Sequence, residues 1–260
     1  MLCRDIVKII EKAFPTVTAL DFDNVGLLCG DFENDVQKIY ISLDVTEQVV
    51  DEAIKWGADM LISHHPLLFQ PIKSFNSDDY VGGMLLRLAQ GNIAYYALHT
   101  NYDTMRMNDL VADLLDIKNR EILKETLFLD DEPKGLGVKG EWATPMSLYD
   151  CCDYVKEKLQ IDNVRVYGDL SQRISSVAIC PGSGKMVIED AIGKKVQLLI
   201  TGDIKHHEGV EAVERGLFII DAGHYATEQF FMEDMEQFLF SKNLEVEVKL
   251  ARVKMPYQVL

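Results

Sequence analysis

Four times along the chain, a short apolar run breaks off in a cluster of histidine, carboxylate and amide side chains. The runs at 60–63, 93–98, 196–200 and 217–220 lead into LISHHPLLF, HTNYD, TGDIKHHE and DAGHYATE. Together these four segments hold all six histidines of the 260-residue chain. Apolar runs this short and this sharply ended read as buried strands, and helical periods at 47–56, 79–90, 108–115, 205–214 and 227–240 separate or follow them. Strands alternating with helices of about ten residues specify βαβ units and a largely parallel sheet. In such a sheet, ligands bind at the carboxyl ends of the strands.

The remaining elements follow the same alternation. Helices are predicted at 5–14, 147–159 and 185–192, and strands at 39–43, 164–167, 176–180 and 245–250. The segment DDEPKGLGVKGEW, with Pro133 and three glycines, has no helical period and reads as a loop or hairpin near a domain boundary. The expectation is an α/β fold in two halves, residues 1–125 with 221–260 and residues 126–220.

Composition narrows the function classes. Forty-two acidic against 26 basic residues give a net charge of −16, a field that disfavours nucleic acid and anionic membrane surfaces. No apolar run approaches the roughly 18 residues of a membrane span, and MLCRDIVKII lacks a signal-peptide core, so a cytoplasmic protein is expected. Five cysteines without a C-x-x-C pair indicate neither a disulfide framework nor a thiolate zinc site.

Each cluster then carries its own chemistry. Pro66 ends its strand, and at a strand end His64 and His65 could reach two different metal ions; surface or core histidines are the alternative. Asp103 suits a hard ligand, with His99 or Asn101 behind it, although Asn101 equally suits a helix cap. Asp203 has the chemistry of an N-cap for the next helix, while His206 and His207 diverge on that helix and read as pocket lining or outer partners. His224 and Glu228 are four apart and share a helical face, as two ligands of one centre would. Three histidines and two carboxylates suit zinc, iron, manganese or nickel better than magnesium or calcium. Asp23 and Asn24, in FDNVG, read as a turn that also suits a pocket wall. CPGSGK invites a phosphate-loop reading and fails it, with Ile179 and Met186 where the motif needs Gly and Ser or Thr. Cys151 and Cys152 read as helix packing.

Taken in order, FDNVGLLCGD, LISHHPLLF, HTNYD, CPGSGK, TGDIKHHE and GHYATE resemble the dinuclear-metal-centre family known as GTP cyclohydrolase 1 type 2 homologues, the NGG-interacting-factor-like proteins. The resemblance runs over nearly the whole chain. It implies two interlinked α/β domains with mixed, largely parallel sheets, and a centre of two divalent metal ions at strand C-terminal ends between them. His64, His65, Asp103, His224 and Glu228 would be the ligands. It also implies a toroidal homohexamer and a metal-dependent hydrolase acting on a GTP-like nucleotide or related small molecule; the rival is a non-catalytic metal-binding scaffold or regulatory protein. The chain departs from the family pattern at Phe22 (Trp), Asp203 (Glu) and Tyr102 (Leu), none of them an implied ligand.

Overall fold

A computed structural model describes residues 1–252 and Tyr257. Its strands are β1 (Gly26–Cys29), β2 (Lys38–Ser42), β3 (Met60–Ser63), β4 (Ala94–Ala97), β5 (Lys118–Leu129), β6 (Glu132–Ser147), β7 (Arg165–Tyr167), β8 (Arg173–Ser183), β9 (Leu198–Gly202), β10 (Phe218–Asp221) and β11 (Glu247–Leu250). The α-helices are α1 (Cys3–Ala13), α2 (Glu47–Trp56), α3 (Tyr80–Gln90), α4 (Thr100–Tyr102), α5 (Asn108–Leu114), α6 (Leu148–Leu159), α7 (Ile188–Gly193), α8 (His206–Glu214), α9 (His224–Glu228) and α10 (Phe231–Ser241). Side-chain caps fix several helix starts. Thr46 accepts from the Val49 amide, Asp79 from Gly82 and Ser147 from Asp150. None of the helices is long and apolar enough to cross a membrane, among the described residues.

The chain divides into two units: Met1–Tyr102 with the described residues from Phe231 onward, and Asp103–Phe230. The first carries a five-stranded sheet in the order β1-β4-β3-β2-β11, parallel except for β1. Ser42, Ser63 and Ala97 stand in register across β2, β3 and β4, so these strands end level with one another. Tyr40, Leu61 and Tyr95 point into a core closed by α2 and α3, through Val50, Ala53, Leu85 and Leu88. Burying such side chains contributes about 1.5–3 kcal/mol each.

The second unit carries a six-stranded sheet, β5-β6-β8-β9-β10-β7. Here only β8, β9 and β10 run parallel, and the other pairings are antiparallel. The stretch read as a loop or hairpin belongs to the long β5–β6 hairpin, which forms one edge of this sheet. Asp130 and Asp131, both at positive φ, make its two-residue turn.

The division between units falls elsewhere than expected. Residues 103–125 go with the second unit because Asn108 bonds the Gly135 carbonyl and the Gly137 amide of β6, and Trp142 bonds the Leu115 carbonyl. Residues 221–230 join it because β10 pairs with β9 and α9 follows directly. Residues 253–256 and 258–260 of the expected first domain lie outside the described residues.

Candidate metal centre

In the first unit, the level ends of β2, β3 and β4 release Asp44, His64-His65 and His99 at one edge of the sheet. Hydrogen bonding continues past the strand ends, from the His64 amide to Ser42, His65 to Leu43 and Leu98 to Ser63, so the turns are fixed by backbone. His64, His65 and His99 converge there, each offering a ligand atom within 4.8 Å of the others. The His64 ring lies 4.9 Å from that of His65 and 5.3 Å from that of His99.

Each of the three rings is held by Nδ1. His64 bonds the Leu98 carbonyl at 2.8 Å, His65 the Asp44 carboxylate at 2.7 Å and His99 the Asp23 carboxylate at 2.8 Å. That arrangement fixes ring orientation and presents Nε2, as in metal-ligating histidines. His64 is fully buried, His65 and His99 half-buried. Asn101 acts as a brace: its side chain accepts from the His99 amide and donates to the Phe14 carbonyl. Asn24 donates to the Leu68 carbonyl and pins the loop after His65.

Asp23 is the strongly perturbed group of this cluster. Burial would raise its carboxyl, but bonds from His99 and from the Thr100 amide and hydroxyl outweigh it and bring it down to about 2. Its ordinary value is 3.8, so the folded state gains stability that is complete above about pH 4 and lost as pH falls through 2. Asp23→Asn should therefore cost about 2 kcal/mol at pH 6 and flatten the stability profile between pH 4 and 2. Denaturant unfolding across pH 2–6 measures it, and a variant with wild-type slope would mean that the carboxylate is not held.

The second unit repeats the device. The parallel ends of β8, β9 and β10 deliver Gly182, Asp203 and the turn into α9. Asp221 accepts from the amides of Ile204 and Gly223 and so shapes both turns. His224 is held by Nδ1 on the Asp203 carboxylate at 2.7 Å, and its Nε2 stands 3.1 Å from Glu228 Oε2. Glu228 is buried.

Asp203 does not cap α8. Its backbone turns left-handed (φ 57°) and the helix starts three residues later, at His206, which frees its carboxylate to hold His224. CPGSGK is the floor of this site: at Gly182 (φ 69°) a Cβ would fall 2.1 Å from Glu228 Oε1, so only glycine leaves room for the carboxylate. Asp103 opens a π-helical turn, Asp103–Met107, and Asn108 bonds its carbonyl at 2.8 Å. Burial, with the Asp103 and Glu228 carboxylates nearby, pushes the Cys180 thiol far up and keeps it a neutral thiol. His206 and His207 are exposed on α8, ring against ring at 5.3 Å, and belong to no converging donor set among the described residues.

The sequence reading passed over Asp44, which orients His65, and Thr227, whose hydroxyl accepts from the Gly182 amide. The only signal for Asp44 is its place just past the end of a strand, like the other clusters.

The family described as Duf34/NIF3 (NGG1p interacting factor 3) is matched over residues 1–256. The chain belongs to the Duf34/NIF3 family. Among relatives, a Clostridium acetobutylicum protein named GTP cyclohydrolase 1 type 2 homolog is 37% identical over 227 residues, covering 86% of this chain and 84% of that one. A Bacillus cereus protein related to NIF3 superimposes with a TM-score of 0.91 at 25% identity, covering 100% of this chain and 99% of that one. A Staphylococcus aureus hypothetical protein gives 0.89 at 29% identity, covering 100% and 99%.

The residues of this Duf34/NIF3 chain fit a divalent metal ion. The donors are imidazole nitrogen and carboxylate oxygen, each histidine presents the same ring atom, and Gly182 leaves space beside Glu228. In the second unit, a His224 ring donating from Nδ1 would turn a lone pair on Nε2 toward the Glu228 carboxylate, an opposition that a cation relieves.

Proposed function

We propose that this Duf34/NIF3 protein holds a dinuclear divalent metal centre on His64, His65, Asp103, His224 and Glu228, and works as a metal-dependent hydrolase on a GTP-like nucleotide or related small molecule. The observation that carries this reading is the common anchoring of the ligand histidines by Nδ1, two of them on carboxylates, which sets Nε2 for metal before any ion arrives. Zinc, iron, manganese and nickel suit the donor set. Such ions, when bound, supply Lewis acidity and activate water near neutral pH.

The chain's own residues have separable tasks. Asp44 and Asp203 fix the rings of His65 and His224. His99, outside the ligand set, has its Nδ1 fixed by an ionised Asp23, so its Nε2 is the atom placed to take up and return a proton. The substrate class rests on what the relatives are called, and the cytoplasmic homohexamer implied by the resemblance belongs to the same reading.

Elemental analysis of the purified chain, followed by turnover assays of the metal-loaded form with GTP, tests it. Two divalent ions per chain and hydrolysis that stops on metal removal are expected. Two ions with no turnover of GTP, phosphoester or cyclic-amide substrates would replace the hydrolase by the scaffold or regulatory protein, and a metal-free native protein would remove both.

A further inference from the structure

Two aromatic rings stand in the open beside the histidine cluster of the first unit. Phe22 is 54% exposed and Phe69 41% exposed, although large apolar side chains normally gain by burial. Phe69 lies 6.2 Å from the His99 ring at 73° and 6.2 Å from Phe22 at 61°. Both contacts are steep, so neither neighbour stacks in parallel on Phe69.

The loops that carry these rings are tied down. Asn24, two residues after Phe22, bonds the carbonyl of Leu68, the residue before Phe69. The Leu67 amide donates to the Tyr95 hydroxyl, which also bonds Ser63. Asp23, next to Phe22, holds His99 and Thr100. An exposed aromatic pair on loops fixed at this many points is presented rather than left over.

The area exposed decides what it is presented to. An aromatic side chain buries about 150–250 Å², so the exposed parts of these two offer about 200 Å². A stable protein–protein interface needs about 800 Å² per partner. The pair is far too small for that alone, and it matches the face of one flat heterocycle.

We propose that Phe22 and Phe69 form a stacking platform for a planar heteroaromatic ring, and that the substrate of the adjacent centre therefore carries such a ring. This rests on the metal-centre reading, with His99 as the link: its ring touches Phe69 on one side and lies 5.6 Å from His65 on the other. A ring seated on Phe69 places the substituents of the ligand toward the histidines. Stacking of this kind is sequence-tolerant, because every base has a π-face, so the platform selects for a ring and leaves the choice of ring to other contacts.

The test uses the metal-loaded full chain and two probes that share a phosphate and sugar and differ by the ring: GMP and ribose 5-phosphate, titrated calorimetrically. GMP should bind about 10-fold or more tighter than ribose 5-phosphate, as loss of one base–aromatic stack implies. Phe69→Ala should erase that difference, and Phe22→Trp should keep or enlarge it, with metal content unchanged in both variants. Equal binding of the two probes, binding of neither, or a GMP advantage that survives Phe69→Ala overturns the platform. A change in assembly mass of Phe69→Ala, read by light scattering, overturns it in favour of a contact between copies. Loss of metal from the wild-type chain is a separate result and strikes the metal-centre reading instead.

Discussion

Gly182→Ala will destabilise the protein by about 3 kcal/mol or more and take the metal with it. Two costs combine at this position. The backbone is left-handed (φ 69°), which costs a residue with a Cβ about 1–2 kcal/mol. The added carbon would also lie 2.1 Å from Glu228 Oε1 and 3.3 Å from His224 Nε2. Glu228 cannot simply swing away, because it is buried and leaves a short helix whose Thr227 bonds the Gly182 amide. Either the carboxylate leaves its place or the β8 turn opens, and both damage the ligand set. For a chain of this size the loss corresponds to a fall in Tm of about 10 °C. Calorimetry and elemental analysis check the two parts; wild-type Tm and metal content in the variant would show that the carboxylate has room elsewhere.

Glu228→Gln separates metal from fold more cleanly, because the two effects have opposite signs. Glu228 Oε2 stands 3.1 Å from His224 Nε2, and with the ring neutral and its proton on Nδ1 toward Asp203 the two would face each other as acceptors. A glutamine of the same shape donates an N–H across that gap, so the metal-free variant should be as stable as wild type or up to about 1 kcal/mol more stable. Metal affinity should fall by about 100-fold or more, since losing even a residue behind a ligand costs 10- to 100-fold. Equilibrium dialysis against zinc or manganese, with denaturant unfolding of the stripped proteins, reads both. Undiminished affinity would remove Glu228 from the ligand set.

Much of this site was legible because its signal is a contrast. An apolar run that ends in His64-His65-Pro66 or in His99 needs no tertiary knowledge to be read as a strand delivering ligating groups. The braces behind the rings were harder. Asp44 is one acid among 42, and only the register of β2 against β3 sets it beside His65. Asp203 was legible as a polar strand-end residue, but its role turned on a left-handed backbone that favours holding His224 over capping α8.

Strand β5, the first arm of the β5–β6 hairpin, escaped for a different reason. KNREILKETLFL is charged and only partly buried, so apolar residues show neither period clearly. The expected helix at 227–240 is broken after Glu228 into α9 and α10 without a proline or glycine to mark it. Gln229 closes the first of these by bonding the Leu159 and Ala226 carbonyls, a contact from far along the chain that periodicity cannot contain.

The order in which the two units appear in the chain has a consequence for synthesis. The first unit is interrupted between Tyr102 and Phe231, whose rings pack at 4.9 Å, while the second runs without a break from Asp103 to Phe230. A ribosome therefore finishes the whole of the second unit before it releases α10 and β11, the last pieces of the first. Until then β2 lacks β11, one of the two strands it pairs with in the finished sheet, and Tyr102 lacks Asp234, which its hydroxyl bonds at 2.6 Å. The unit that begins first is the one that closes last, and closing it requires the ends of a long intervening loop to meet, a cost that a folded insert with its own ends held together largely removes.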